Sequence, residues 1–156
     1  MSAPAEQRTR VLFVCLGNSC RSPMAEAIAA RLGSDVMETA SAGLTALGEV
    51  QTLTTTTLEK NGYCAGGLRS TQLRFGELED ADIVVNMTGR AGVLITQPPG
   101  KVEDWDVEDP YGSNAATYQR VFEDIERRVA GLVERVRARR TPASRTKPGS
   151  GEKAKT

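Results

Sequence analysis

Residues 10–32 read RVLFVCLGNSCRSPMAEAIAARL, a strand-like run, a short polar turn and a helix-forming segment in direct succession. The run RVLFV is apolar without alternation, which suits a parallel strand covered on both faces. Ser22-Pro23 predicts a helix start, because proline near the first helical position loses no hydrogen bond. The segment MAEAIAARL that follows is built of strong helix formers. A strand joined to a helix by a tight loop is the α/β unit whose ligands sit beyond the strand's carboxyl end.

The remaining segments extend this unit. Residues 36–41 are read as a second short strand, broken by Gly43. Residues 52–61 are expected to be helical, against the weak propensity of the consecutive Thr54, Thr55, Thr56 and Thr57. Asn61-Gly62 should end that helix in a left-handed turn. A short helix or turn is expected over 73–78, a strand over 82–87 (DIVVNM), a helix over 88–96 stopped by Pro98-Pro99-Gly100, and a last short strand from Val102. From Thr117 to Arg139, Tyr118, Val121, Phe122, Ile125, Val129, Leu132, Val133 and Val136 recur at helical period, predicting a long amphipathic helix. The expected architecture is α/β: a four-stranded parallel sheet flanked by helices on both faces, with the anion-binding loop after the first strand.

Composition narrows the function. Of 156 residues, 39% are apolar and 26% charged, which is ordinary for one globular domain. No apolar run is long enough to span a membrane, and residues 1–10 lack the apolar core of a signal peptide. Residues 1–138 carry 14 Lys/Arg against 19 Asp/Glu, while residues 139–156 carry 6 against 1. We read this as a folded domain over 8–139 and a basic, disordered tail over 140–156. An acidic body is a poor nucleic-acid binder, so no nucleic-acid or membrane partner is expected. Three cysteines, Cys15, Cys20 and Cys64, without staple-like density fit a reducing compartment, read as the cytoplasm. The chain contains no histidine, which removes every imidazole-based mechanism and histidine-ligated zinc. No metal or organic cofactor is expected.

The chemistry concentrates at residues 15–22. If the backbone from Leu16 to Arg21 curls so that successive amides face inward, the loop and the first helical turn form an oxyanion cradle. The same amides favour the thiolate of Cys15 at its base, giving a nucleophile without a histidine base. Arg21 supplies a planar fork for two oxygens of a tetrahedral anion. Gly17 permits a tight turn, Asn18 is placed to brace the loop, and Ser22 can reach back to the Cys15 sulfur. With no histidine, a carboxylate must carry the proton, and the stretch EDWDVEDPYG offers Asp106, Glu108 and Asp109. Residue types alone leave those three open. Taken singly, a cysteine after an apolar strand is as compatible with a small buried hydrophobe.

The segment VLFVCLGNSCRSPMAEAI resembles the start of the low-molecular-weight protein tyrosine phosphatases and of their relatives, the arginine phosphatases and thioredoxin-coupled arsenate reductases. Cys15-Leu16-Gly17-Asn18-Ser19-Cys20-Arg21-Ser22 is similar to their C-x5-R-S/T phosphate loop. Ser41-Ala42-Gly43, the later strand and Asp109-Pro110-Tyr111 match further segments, covering residues 10–138. The resemblance implies a phosphocysteine intermediate on Cys15, phosphate held by Arg21 and the loop, and Asp109 as the acid. It implies that Ser41 bonds Asn18, that Tyr111 lines the pocket mouth with Leu47 or Leu44 opposite, and that Cys20 can trap an oxidised Cys15. The expected substrates are phosphorylated proteins, phosphotyrosine first, or small phosphomonoesters, with phosphate and other oxyanions binding in the site. Phosphoarginine is the alternative, arsenate reduction a further one. The enzyme is expected to act as a monomer or weak dimer.

Ser19 bears on that choice. Tyrosine-specific relatives often carry a bulky aliphatic residue there, arginine phosphatases a threonine, and some arsenate reductases a serine. The reductases also place relay cysteines near where residues 87–93 lie here, and this stretch has none. Met87-Thr88-Gly89-Arg90 departs from the family pattern and bears on substrate preference.

Overall fold

The computed structural model describes residues 8–90 and 100–145, with side chains as far as Arg139. Eight elements follow in order: β1 (Thr9–Cys15), α1 (Arg21–Leu32), β2 (Met37–Gly43), α2 (Thr52–Lys60), α3 (Phe75–Asp80), β3 (Ile83–Asn86), β4 (Val102–Asp104) and α4 (Ala115–Arg145). The strands form one parallel sheet in the order β2-β1-β3-β4. β1 is central, which explains its uninterrupted apolar sequence: both of its faces are covered.

Alternation along β1 divides the core. Val11, Phe13 and Cys15 face one side with Ile83, Val85 and Met87, packed against α1, α2 and α4. Leu12 and Val14 face the other, with Ala42, Val84, Leu78 and Ala81 beneath α3. The predicted stripe of α4 is its buried face, with Ile125, Val129 and Leu132 fully enclosed. Helices thus flank the sheet on both sides. Among the described residues no helix is long and apolar enough to cross a membrane.

Several boundaries differ from expectation. β2 continues through Gly43, which pairs with Cys15 instead of breaking the strand. α1 begins at Arg21, so Pro23 falls within its first turn, where a missing N–H still loses nothing. α2 forms despite its threonines because Thr54 and Thr57 are buried and the Thr54 hydroxyl finds a tertiary acceptor. The Asn61-Gly62 turn is present, with Gly62 at φ 89°. Thr88, Gly89 and Arg90 bend instead of starting a helix. The Asn86 side chain accepts from the Thr88 amide at 3.0 Å and donates to the Arg90 carbonyl at 2.8 Å, tying the bend together. Residues 91–96 of that expected helix lie outside the described residues. α4 begins two residues before the expected Thr117 and runs to Arg145, past the expected end at Arg139. Of the tail expected over 140–156, residues 140–145 belong to α4 instead, and residues 146–156 lie outside the described residues.

Candidate active site

The loop between β1 and α1 is shaped by where its carbonyls go. The Cys15, Leu16 and Gly17 carbonyls accept from the amides of Leu44 (3.0 Å), Thr45 (2.8 Å) and Leu47 (3.0 Å). Ser70 Oγ donates to the Gly17 carbonyl at 3.1 Å. The Ser19 carbonyl accepts from the Gln51 amide at 3.1 Å and from Thr54 Oγ1 at 2.8 Å. With the carbonyls directed outward, the amides of residues 16–20 have no acceptor among the described residues. They converge with the first turn of α1, whose leading amides are also unspent. Unspent amides grouped in this way are the arrangement that an anion-binding nest requires.

Asn18 holds the turn. It is fully buried in the left-handed region at φ 49°, which asparagine tolerates better than most side chains. Its Oδ1 accepts from the Thr71 amide at 2.7 Å, which assigns Nδ2 as donor. Nδ2 spends one hydrogen on Ser22 Oγ (2.7 Å) and the other on Ser41 Oγ (3.0 Å). Ser41 donates onward to Glu26 Oε1 at 2.6 Å. Ser22 Oγ, already accepting from Asn18, lies 2.9 Å from Cys15 Sγ, so its own hydrogen is free to point at the sulfur. Ser41 therefore makes the bond to Asn18 that the resemblance implied. Burial pushes the Glu26 carboxyl up from its ordinary 4.5, with the Ser41 bond working against the shift.

Arg21 stands over this nest with 6% exposure. Its Nη1 donates to the Met87 carbonyl at 2.7 Å, and its Nη2 lies 3.4 Å from Asp109 Oδ2. Its Nε is buried without a hydrogen-bond partner. A buried guanidinium N–H left unpaired is costly unless an acceptor arrives.

The choice among the three carboxylates follows from the path of the chain after β4. Trp105 and Val107 are buried, with Trp105 against Phe13 at a ring separation of 6.0 Å. Asp106 and Glu108 alternate with them and are exposed. Asp109 occupies the same alternate position as Trp105 and Val107 and, although its side chain is 48% exposed, it reaches Arg21. Its Oδ1 also accepts from the Tyr111 amide at 3.1 Å. Glu108 instead meets Arg120.

A pocket of about 350 Å³ opens above the loop, lined by Cys15, Leu16, Gly17, Ser19, Cys20, Arg21, Thr45, Leu47, Asp109 and Tyr111. Of the two leucines expected opposite Tyr111, Leu47 lines this pocket. Leu44 packs instead on the cluster around Leu12 and Val14. Leu16, Leu47 and Tyr111 are exposed at the mouth. Cys20 is a free, buried thiol whose Sγ lies 3.3 Å from Tyr118 Oη. Burial raises Tyr118 above its ordinary range, and the bond with Cys20 adds to the shift. Cys64 is exposed and lines a different groove, with Arg31 and Gly67.

Glu26, Thr54, Ser70 and Thr71 support the loop and were not singled out from the sequence. Thr54, Ser70 and Thr71 come from distant segments, whereas Glu26 sits in α1 just past the loop.

The low molecular weight phosphotyrosine protein phosphatase model matches residues 10–141, and the chain belongs to this family. A glutaredoxin arsenate reductase from Synechocystis sp. is 33% identical over 132 residues, spanning 81% of this chain and 98% of that protein. The solved YwlE arginine phosphatase from Geobacillus stearothermophilus superposes with a TM-score of 0.77 at 28% identity, covering 85% of this chain and 96% of its own. A low molecular weight protein tyrosine phosphatase from T. tengcongensis gives 0.73 at 32% identity, covering 81% and 99%. The protein is a cysteine-based phosphatase of the superfamily that spans these three activities.

Proposed function

We propose that this chain is a two-step protein phosphatase acting on phosphoarginine. The observation that carries the phosphatase chemistry is the unpaired Arg21 Nε beside the unspent amides of residues 16–20, with the Cys15 sulfur at their base. A tetrahedral oxyanion satisfies all of these donors at once.

Cys15 Sγ, as thiolate, attacks phosphorus in line with the leaving atom. The S–P bond forms, the bond from phosphorus to the leaving nitrogen or oxygen breaks, and Asp109 gives its proton to that atom. Arg21 and the loop amides hold the equatorial oxygens throughout. Asp109, now a carboxylate, takes a proton from the water that attacks phosphorus. The P–S bond breaks, and Ser22 Oγ donates to the departing thiolate. Inorganic phosphate leaves and the thiolate is regenerated.

Three features support phosphoarginine. Ser19 lines the pocket with a hydroxyl, Asp109 offers a carboxyl oxygen at its rim, and Leu16 and Leu47 give aliphatic walls that match the arginine stem. A guanidine leaving group brings N–H donors for the hydroxyl and the carboxyl oxygen, whereas a phenol ring brings none. The similarity to the arginine phosphatase from Geobacillus stearothermophilus points the same way. Phosphotyrosine is the second reading, favoured by Tyr111, whose exposed ring at the mouth can pack against an aromatic substrate. Arsenate reduction through the chain's own thiols lacks a third cysteine in the pocket, since Cys64 lies elsewhere.

The test is kcat/KM for phosphoarginine and phosphotyrosine peptides of one sequence, with Ser19→Thr and Ser19→Ile alongside. A preference for phosphoarginine that Ser19→Thr keeps and Ser19→Ile reverses supports this reading. A preference for phosphotyrosine in the unmodified protein overturns it in favour of the second.

A further inference from the structure

The segment that delivers Asp109 is gripped from outside by α4. Arg135 holds Glu103 with two bonds, Nη1 to Oε2 at 2.8 Å and Nη2 to Oε1 at 3.2 Å. Arg128 Nη2 donates to the Asp106 carbonyl at 3.0 Å, while its Nε is steadied by Asp124 at 3.0 Å. Arg120 grips Glu108 through Nη2, at 3.1 Å from each carboxylate oxygen, and through Nε at 3.3 Å from Oε1. The order is antiparallel: as the segment runs from 103 to 108, its partners run from 135 back to 120.

The lengths agree. Residues 120 to 135 span about 22 Å of helix. Residues 103 to 108 span about 17 Å of extended chain. The reach of the arginine side chains takes up the difference. The three arginines stand about two helical turns apart and so present toward one side of α4. On the opposite side of the segment, Trp105 and Val107 are fixed in the core. The strip is thus held on its inner side by apolar packing and on its outer side by three guanidinium groups. The last grip falls on Glu108, the residue immediately before Asp109.

Exposed ion pairs contribute little to global stability. Two two-pronged forks and a main-chain bond on one short strip instead restrict its direction, because a planar guanidinium fixes geometry as well as distance. We infer that Arg120, Arg128 and Arg135 are positioning residues that set the reach of Asp109 over the pocket. This rests on Asp109 being the proton carrier proposed above. Misplacing a proton donor slows the step it assists, and most where the leaving group needs the proton most.

The experiment uses the full chain and two aryl phosphates, phenyl phosphate as the poor leaving group and p-nitrophenyl phosphate as the good one. The ratio of their kcat/KM values is read in Arg120→Gln/Arg128→Gln. That ratio should move against phenyl phosphate by about tenfold. Raising salt from roughly 50 to roughly 500 mM should move the ratio of the unmodified protein the same way, since screening loosens exposed pairs. Adding Glu108→Arg to Arg120→Glu should restore part of what Arg120→Glu loses. An unchanged ratio in the double variant and at high salt, while Asp109→Ala shifts it strongly, overturns the clamp and leaves the proton carrier intact. If Asp109→Ala leaves the ratio unmoved, the proton-carrier reading fails and the clamp falls with it.

Discussion

Gly43, the last residue of β2, lies opposite Cys15, the last residue of β1, where the sheet gives way to the anion-binding loop. A Cβ at position 43 would come within 2.9 Å of the Asn18 amide nitrogen, Asn18 Cβ and the Leu16 carbonyl oxygen. Two of these are backbone atoms of the loop, so they give way only if the loop moves. Gly43→Ala should therefore cost about 1–3 kcal/mol of stability. Because the loop carries Cys15, the proposed nucleophile, kcat/KM should fall by about tenfold or more. Urea unfolding and steady-state kinetics check both. Full activity in the variant would mean that the loop tolerates the shift.

Ser22→Ala removes the hydroxyl that lies 2.9 Å from the Cys15 sulfur. A hydrogen bond to a charged group is worth about 1.5–3 kcal/mol, which corresponds to roughly tenfold to a hundredfold in rate. The loss should fall on breakdown of phosphocysteine, where the thiolate departs. Rapid-mixing kinetics with p-nitrophenyl phosphate should show a burst of nitrophenol followed by a slowed steady state. A uniform slowing without a burst would place the hydroxyl's effect on the first step instead.

Thr54→Val keeps the shape of the side chain and deletes its bond to the Ser19 carbonyl. The carbonyl retains the Gln51 amide, so the cost should be modest, about 1 kcal/mol. The loop is loosened next to Ser19, and KM should rise more than kcat falls. Thermal unfolding with KM and kcat measured separately tests this, and an unchanged KM would contradict it.

These residues also show what the sequence could reveal. Cys15, Asn18, Arg21 and Ser22 fall within eight consecutive residues, so their joint chemistry could be read from one short motif. Asp109 could not be separated from Asp106 and Glu108 by residue type. What distinguishes it is its approach to Arg21, 3.4 Å from Nη2, which depends on how the packing of Trp105 and Val107 carries the strip past the loop. Thr54 was obscured by the weak helix propensity of its neighbours, which tertiary burial and its bond to Ser19 override. Ser70 and Thr71 reach the loop from a distant connecting segment, and Glu26 reaches it through Ser41 of β2, so none leaves a local signal. The strand ends were misjudged because Gly43 was read as a breaker, when its missing side chain is what lets β2 pass so close to the loop.

Glu26 predicts a pH effect. Burial raises its carboxyl above the ordinary 4.5, so the folded protein binds the proton more tightly than the unfolded chain. Its contribution to stability is then fully present below 4.5 and lost as pH rises through the folded value. Glu26→Gln keeps an acceptor for Ser41 and removes the charge. The variant should gain stability over the unmodified protein at neutral pH, and the gain should shrink as pH falls toward 4.5. Denaturant midpoints across that window decide it; a difference that grows on acidification would reverse the sign of the argument.

The proposed mechanism passes through a covalent phosphoryl group on Cys15. Asp109→Ala, mixed with p-nitrophenyl phosphate and quenched in acid within the first turnover, should yield a peptide containing Cys15 that carries one added phosphoryl group. Cys15→Ser under the same conditions should release no nitrophenol. A fully active Cys15→Ser, or turnover in the unmodified protein with no phosphoryl group ever trapped on that peptide, would contradict the account.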